Sequence, residues 1–167
     1  MFGYVRQNGI KVYRPQSQSR FLFGGSFKDY YCFGQEQLPA TGDTLFITGG
    51  EKDVLSLAAH GFPAICFGSE TVRIPHRLIK ELSQRFQNII LLYDMDATGK
   101  KQAIALQQEL AEYNVSRIEL PLAGTKQEKD ISDYFRLGHT ATEFRRLMPR
   151  PEVRQYTQHK NGQTFKH

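Results

Sequence analysis

Residues 88–101 read NIILLYDMDATGKK, an apolar run that ends at Asp94 and Asp96. Such a run is typical of a buried strand, and in an extended segment two residues that are two positions apart point to the same side. Two carboxylates held on one side repel each other unless a cation or a proton compensates their charge. We therefore expect a functional site at the end of this strand.

The sequence around this run alternates strand-like and helix-like patterns. The predicted strands are TLFIT (44–48), PAICF (63–67), NIILLY (88–93) and SRIELP (116–121). Between and after them, helical spacing of apolar residues predicts helices over EKDVLSLAAHG (51–61), IPHRLIKELSQRF (74–86), GKKQAIALQQELAEY (99–113), 131–137 and 141–147. This β-α-β order predicts an α/β fold with a mostly parallel sheet flanked by helices.

The sequence divides into three zones. Residues 1–43 hold short strand-like runs separated by proline and glycine turns, which predicts a small antiparallel, β-rich region. Residues 44–148 hold the α/β pattern. Residues 149–167 are polar and aperiodic, and are interpreted as a tail or a linker stub.

Bulk composition excludes some classes of protein and leaves others open. No apolar stretch approaches the roughly 20 residues that span a bilayer, and the first residues do not resemble a signal peptide, so we expect a cytoplasmic protein without membrane contact. The two cysteines form no C-x-x-C pair, which argues against zinc. The net charge of +5 permits nucleic-acid binding without requiring it.

Acidic residues follow several of the predicted strands. Glu51 and Asp53 follow the first strand, Asp94 and Asp96 the third, and Asp130 comes after the fourth. Ligands bind beyond the carboxyl ends of the strands in open α/β sheets, so these acids are expected to meet on one rim. Mg²⁺ prefers carboxylate oxygens and would relieve the repulsion there.

Simpler roles exist for single members of this set. Asp96 and Asp130 are also suited to capping the helices that follow them. Glu51 lies where any acid is favoured by the helix dipole, and Asp53 has Lys52 beside it as a partner for an ion pair. Asp94 has no such role, because it belongs to the end of its strand.

Three segments resemble the Toprim domain, a metal-binding α/β module of primases, topoisomerases and some nucleases. They are LFITGGEKDVLSLAAHGFPAI, LLYDMDATGKKQA and EKDISDYF. The resemblance implies that Asp94, Asp96 and Asp130 bind Mg²⁺ or Mn²⁺, and that Asp53 and Asp94 belong to the catalytic set. The family's first motif reads E-G-x-x-D, whereas Gly49 stands here at the glutamate position, so Glu51 is predicted as a substitute acid.

Residues 1–43 look like the segment before the Toprim domain of phage-type primases and primase-helicases. The resemblance implies Mg²⁺-dependent synthesis of RNA primers from ribonucleotides on a single-stranded DNA template, with a replicative helicase as a partner. We expect either a fragment of a larger protein or a free-standing relative, since no zinc finger and no G-x-x-x-x-G-K-[ST] motif occurs. The alternatives are a catalytically impaired nucleic-acid-binding module and a Mg²⁺-dependent nuclease.

Basic and aromatic residues are the candidates for contact with nucleic acid or nucleotide. Those expected to meet phosphates are Lys11, Arg14, Arg20, Lys100 and Lys101. Those that either stack on bases or form the core of the small sheet are Tyr13, Phe21, Phe23, Tyr30 and Tyr31. We expect most of these aromatic residues to be core, because a small sheet has little else to bury.

Overall fold

A computed structural model of the protein describes residues 1–6, 9–26, 30–68 and 72–149. The strands in these ranges are β1 (Phe2–Arg6), β2 (Gly9–Tyr13), β3 (Phe21–Gly25), β4 (Cys32–Phe33), β5 (Gly42–Thr48), β6 (Ala64–Phe67), β7 (Phe86–Leu92) and β8 (Val115–Arg117). The α-helices are α1 (Glu51–Ala59), α2 (His76–Arg85), α3 (Ala97–Glu109), α4 (Ile131–Arg136) and α5 (Ala141–Leu147).

Five strands form the central sheet, in the order β4-β6-β5-β7-β8. The central strand β5 pairs in parallel with both β6 and β7, and β8 extends the parallel part beyond β7. Only the edge strand β4 is antiparallel among these described strands. The inner strands are continuous apolar runs because both of their faces are covered.

Alternate residues of the inner strands point to opposite faces of this sheet. Leu45 and Ile47 of β5 face the cluster that includes α2 and α3. Phe46 of β5 and Ile90 of β7 face the cluster that includes α1, α4 and α5. Helices therefore cover both faces, and the loops after β5 and β7 emerge at the carboxyl ends of two inner strands.

The antiparallel sheet β1-β2-β3 precedes this unit. The cross-strand register puts a set of aromatic residues and one lysine on one face: Phe2, Tyr4, Lys11, Tyr13, Phe21 and Phe23. Edge-to-face ring contacts join this face to the central unit, with 5.6 Å between the Tyr4 and Phe33 centroids and 5.7 Å between Phe23 and Tyr31. The small sheet therefore packs beside the edge strand β4.

The predicted fold class is confirmed: a mostly parallel sheet flanked by helices follows a small antiparallel sheet. Cys32 and Phe33 of the first zone pair with β6 in the central sheet, and the predicted division at residue 43 stays a prediction. Long-range pairing of this kind leaves no local signal. From residue 150 onward, the predicted tail lies outside the residues that the structure describes. None of the helices in the described ranges is both long and apolar enough to cross a membrane.

Candidate functional site

Three aspartates from separate parts of the chain converge beyond the central strands. Asp53, Asp94 and Asp130 each offer a carboxylate oxygen, and these oxygens all lie within 4.8 Å of one another. Asp53 and Asp130 are buried, and Asp94 is partly buried. In the described residues this is the one group of three or more acidic, histidine or cysteine side chains with such spacing. The three carboxylates supply the oxygen ligands that a hard divalent cation prefers.

Local structure brings each aspartate to this point. Asp53 lies in the first turn of α1, just after the central strand β5. Asp94 follows the end of β7 by two residues, and Asp130 caps α4 by accepting the backbone N–H of Asp133 at 2.8 Å. The backbone N–H of Met95 donates to the carbonyl of Lys129 at 2.6 Å, which joins the chain next to Asp94 to the chain next to Asp130.

Neighbouring side chains partly neutralise the cluster. The ammonium group of Lys129 contacts Asp94, and the ammonium group of Lys52 lies 2.7 Å from Oδ2 of Asp130. Asp53 accepts a hydrogen bond from the Ser132 hydroxyl at 2.8 Å. Lys52 thus pairs with Asp130 and not with the adjacent Asp53, which was the alternative that the sequence suggested.

Burial dominates the electrostatics of these carboxylates. Burial and then the negative charge of Asp130 raise the pKa of Asp53. Burial also raises the pKa of Asp94, and the Lys129 ammonium opposes part of that rise. A divalent cation would favour the ionised form of both groups, so the residues present fit a metal site of the Mg²⁺ type.

Asp96 has a clear structural role in addition to its predicted one. Its side chain accepts the backbone N–H of Gly99 at 2.9 Å and so caps α3, and this bond lowers the pKa of the carboxyl. Asp96 Oδ2 also lies 3.4 Å from the ammonium of Lys129. It does not join the three carboxylates within 4.8 Å of one another, and metal binding by Asp96 stays a prediction.

Gly99 allows the backbone of Asp94 to lie against the first turn of α3. A Cβ atom added at this position would lie 2.3 Å from the carbonyl oxygen of Asp94. Only glycine therefore permits the helix to start so close to the strand end. This explains the glycine of the D-x-D-x-x-G pattern without any contact to a ligand.

Glu51 and Lys11, predicted in separate roles, form one buried ion pair. Lys11 Nζ lies 2.7 Å from Glu51 Oε1, and the side chains are only 3% and 5% exposed. Lys11 also donates to the carbonyl of Gly68 at 3.3 Å. The pair joins β2 to the first turn of α1, and a phosphate contact of Lys11 stays a prediction. Glu51 likewise lies outside the group of three aspartates.

The other predicted basic residues are at or near the surface. Arg20 and Lys101 are exposed, while Arg14 donates to a backbone carbonyl of its own turn at 2.9 Å. Lys100 forms an exposed ion pair with Glu119 at 3.3 Å. Their side chains are accessible to a phosphate backbone, and their predicted role stays a prediction.

The aromatic residues of the small sheet divide into buried and exposed sets. Tyr31 is buried, as expected of a core residue. Phe2, Phe21 and Phe23 are instead about half exposed, at 58%, 44% and 53%. The rings of Phe2 and Phe21 stack on the two sides of Tyr13, at 6.2 and 5.1 Å between centroids. The expectation of a core role therefore fails for Phe21 and Phe23.

Two lysines contact the aspartate cluster in a way that the sequence did not predict, Lys52 at Asp130 and Lys129 at Asp94. A signal was present, because the tripeptide EKD occurs twice, at 51–53 and 128–130. Each copy supplies one aspartate of the cluster and one lysine that contacts an aspartate from another segment.

A model of the Toprim-like family matches residues 46–135, which is more than half of the chain. The chain belongs to the Toprim-like family. All three aspartates of the cluster lie in the matched range, and so does Gly49. A comparison with curated proteins gave no match.

Solved structures of primases have the same fold. The primase fragment of the bacteriophage T7 primase-helicase protein is 24% identical, with a TM-score of 0.60 over 87% of this chain and 60% of that one. The E. coli primase catalytic core is 20% identical, with a TM-score of 0.63 over 83% and 47%. The zinc-binding and RNA polymerase domains of the Aquifex aeolicus primase are 18% identical, with a TM-score of 0.62 over 86% of this chain and 37% of that one. The chain thus has a Toprim fold similar to primase catalytic cores, and it spans less than two thirds of these three chains.

Proposed function

We propose that this chain is the catalytic Toprim domain of a primase-like replication protein, which synthesises RNA primers on single-stranded DNA. The observation that carries the proposal is the convergence of Asp53, Asp94 and Asp130 to within 4.8 Å. The similarity of the fold to primase catalytic cores supports it, although fold by itself does not dictate a reaction.

In this proposal Asp53, Asp94 and Asp130 hold Mg²⁺ or Mn²⁺, with Asp96 beside them. Such an ion supplies charge neutralisation at the triphosphate of an incoming ribonucleotide. The chain itself supplies three carboxylates on three rigid supports, the first turn of α1, the end of β7 and the cap of α4. The hydrogen bond from Ser132 orients Asp53 within this set.

The template would run along the small sheet. Arg14 and Arg20 lie in and beside the turn that joins β2 to β3, next to the exposed rings of Phe21 and Phe23. Positive charges that meet phosphates and rings that stack on unpaired bases form the usual surface for single-stranded nucleic acid. Lys100 and Lys101 follow the D-x-D segment and are candidates for phosphate contact near the metal.

A larger assembly is part of this proposal. One similar structure is the primase fragment of a primase-helicase, so we propose a replicative helicase, on the same chain or a separate one, as a partner. We place the activity in the cytoplasm, a reducing compartment that suits the two buried free cysteines Cys32 and Cys66.

A second candidate is a nucleic-acid-binding module without catalysis. Two observations favour it: Gly49 lacks the carboxylate of the family motif, and the nearby Glu51 is held by Lys11. A Mg²⁺-dependent nuclease is a third candidate, since a metal ion held by carboxylates can also serve strand cleavage.

Primer synthesis on single-stranded DNA with ribonucleotides and Mg²⁺ separates these candidates. We expect products that disappear in Asp94→Asn and persist in Asp43→Asn, an exposed carboxylate at the start of β5. DNA binding without any product supports the binding module, and cleavage of a labelled strand supports the nuclease. Gly49→Glu restores the family's acid, and a gain of product over the native protein would show that Gly49 limits the activity.

A further inference from the structure

Two ammonium groups lie directly on the aspartate cluster. Lys52 is 58% exposed and reaches onto Asp130, whose side chain is 9% exposed, at 2.7 Å. Lys129 is 32% exposed and contacts Asp94, whose side chain is 17% exposed. Each lysine therefore extends from the surface onto a carboxylate that is mostly shielded from water.

The charges of the two lysines match those of one divalent cation. Three ionised aspartates would carry a charge of −3, and the two ammonium groups supply +2, as one Mg²⁺ would. An ammonium group in contact with a carboxylate oxygen competes with a metal ion for that oxygen, and two cations at one cluster repel each other. We therefore expect a metal ion that binds Asp94 and Asp130 to displace these lysines.

Displacement requires no change in the fold. Lys52 lies on the first turn of α1 and Lys129 in the segment before α4, and both ammonium groups are on flexible four-carbon stems. Both side chains keep access to solvent, so each can rotate away while its backbone stays in place. The displaced ammonium groups would remain within a side-chain length of the metal.

We propose that Lys52 and Lys129 are resident countercations, which a divalent cation displaces and which then bind phosphate oxygens of the incoming nucleotide. The proposal rests on the proposed function, because it concerns the same metal site. A lysine ammonium is a common phosphate ligand that acts as a point charge. The same two side chains would thus offset most of the negative charge of the cluster without metal and recruit the anionic substrate with it.

The test compares two affinities in Lys52→Met and Lys129→Met. Lys80→Met is the matched control, because Lys80 is an exposed lysine on α2. Mn²⁺ binding to the free protein is followed by the loss of its free-ion electron paramagnetic resonance signal. We expect Mn²⁺ to bind about five-fold tighter in each variant, since a competing ion pair is gone. Calorimetric titration with ATP at saturating Mg²⁺ is expected to show binding about five-fold weaker.

Opposite changes in these two affinities support the proposal, and unchanged or weaker Mn²⁺ binding overturns it. If the native protein binds no Mn²⁺ while Lys129→Met does, displacement is overturned, since the lysine then blocks the site. If neither protein binds Mn²⁺, the proposed metal-dependent function fails as well. Lys129→Gln replaces Lys129→Met if circular dichroism shows that the latter is unfolded.

Discussion

The ion pair between Lys11 and Glu51 gives the sharpest prediction about stability. Its 2.7 Å separation and nearly complete burial mean that neither charge is well solvated. Lys11→Met keeps most of the apolar stem but leaves the carboxylate of Glu51 buried without its cation. We expect the free energy of unfolding to fall by about 3–5 kcal/mol, the usual cost of removing one member of a buried pair.

A double-mutant cycle measures how much of this loss comes from the pair. Lys11→Met combined with Glu51→Gln leaves no buried charge, so the double variant is expected to be more stable than Lys11→Met alone, with a coupling energy of about 2 kcal/mol. Urea unfolding followed by far-ultraviolet circular dichroism is suitable, because the chain has no tryptophan. Glu36→Gln is the control, since Glu36 pairs with Arg6 at 3.0 Å but is 46% exposed. A loss below about 1 kcal/mol for Lys11→Met, or strictly additive effects, would refute the reasoning.

Three further predictions concern the exposed ring of Phe21, Gly99 beside Asp94, and the cap of helix α5. Phe21→Ala is expected to weaken binding of a single-stranded DNA oligonucleotide by about 1–3 kcal/mol in fluorescence anisotropy. Leu22→Ala, equally exposed on the opposite face of β3, is the control, and equal losses in both variants would remove the case for stacking. Gly99→Ala places Cβ 2.3 Å from the Asp94 carbonyl oxygen. This variant should lower the free energy of unfolding by about 1–3 kcal/mol in thermal unfolding and weaken Mn²⁺ binding. Native stability together with native Mn²⁺ affinity would contradict the predicted clash. Thr140→Ala removes the capping box of α5 and should cost about 1 kcal/mol in urea unfolding, whereas an unchanged midpoint would show that the cap is dispensable.

The sequence was sufficient to predict the order of elements in the central unit, because apolar runs and helical spacing are local signals. It also predicted that Asp53, Asp94 and Asp130 meet on one rim of the sheet, since each follows or caps a predictable element, although the predicted metal ligands included Asp96 and not Asp53. The D-x-D spacing was a weaker guide. Asp96 would lie on the same side as Asp94 only if the strand continued, whereas the chain turns there into α3 and Asp96 becomes its cap.

Contacts between distant segments could not be predicted in this way. Lys11 and Glu51 are 40 positions apart, and nothing near either residue indicates that they form a pair. The exposure of Phe21 and Phe23 was missed for a related reason. Alternation along β3 shows which residues share a face, but not how far the packed neighbour extends over that face.

The antiparallel edge strand β4 has a practical consequence for work on the isolated α/β unit. Cys32 and Phe33 supply the hydrogen-bonding partners on the outer side of β6. A truncation that begins at residue 44 would remove them and leave an apolar strand with an unpaired backbone edge, which promotes association between molecules. Expression of the α/β unit in monomeric form should therefore require a start point upstream of β4.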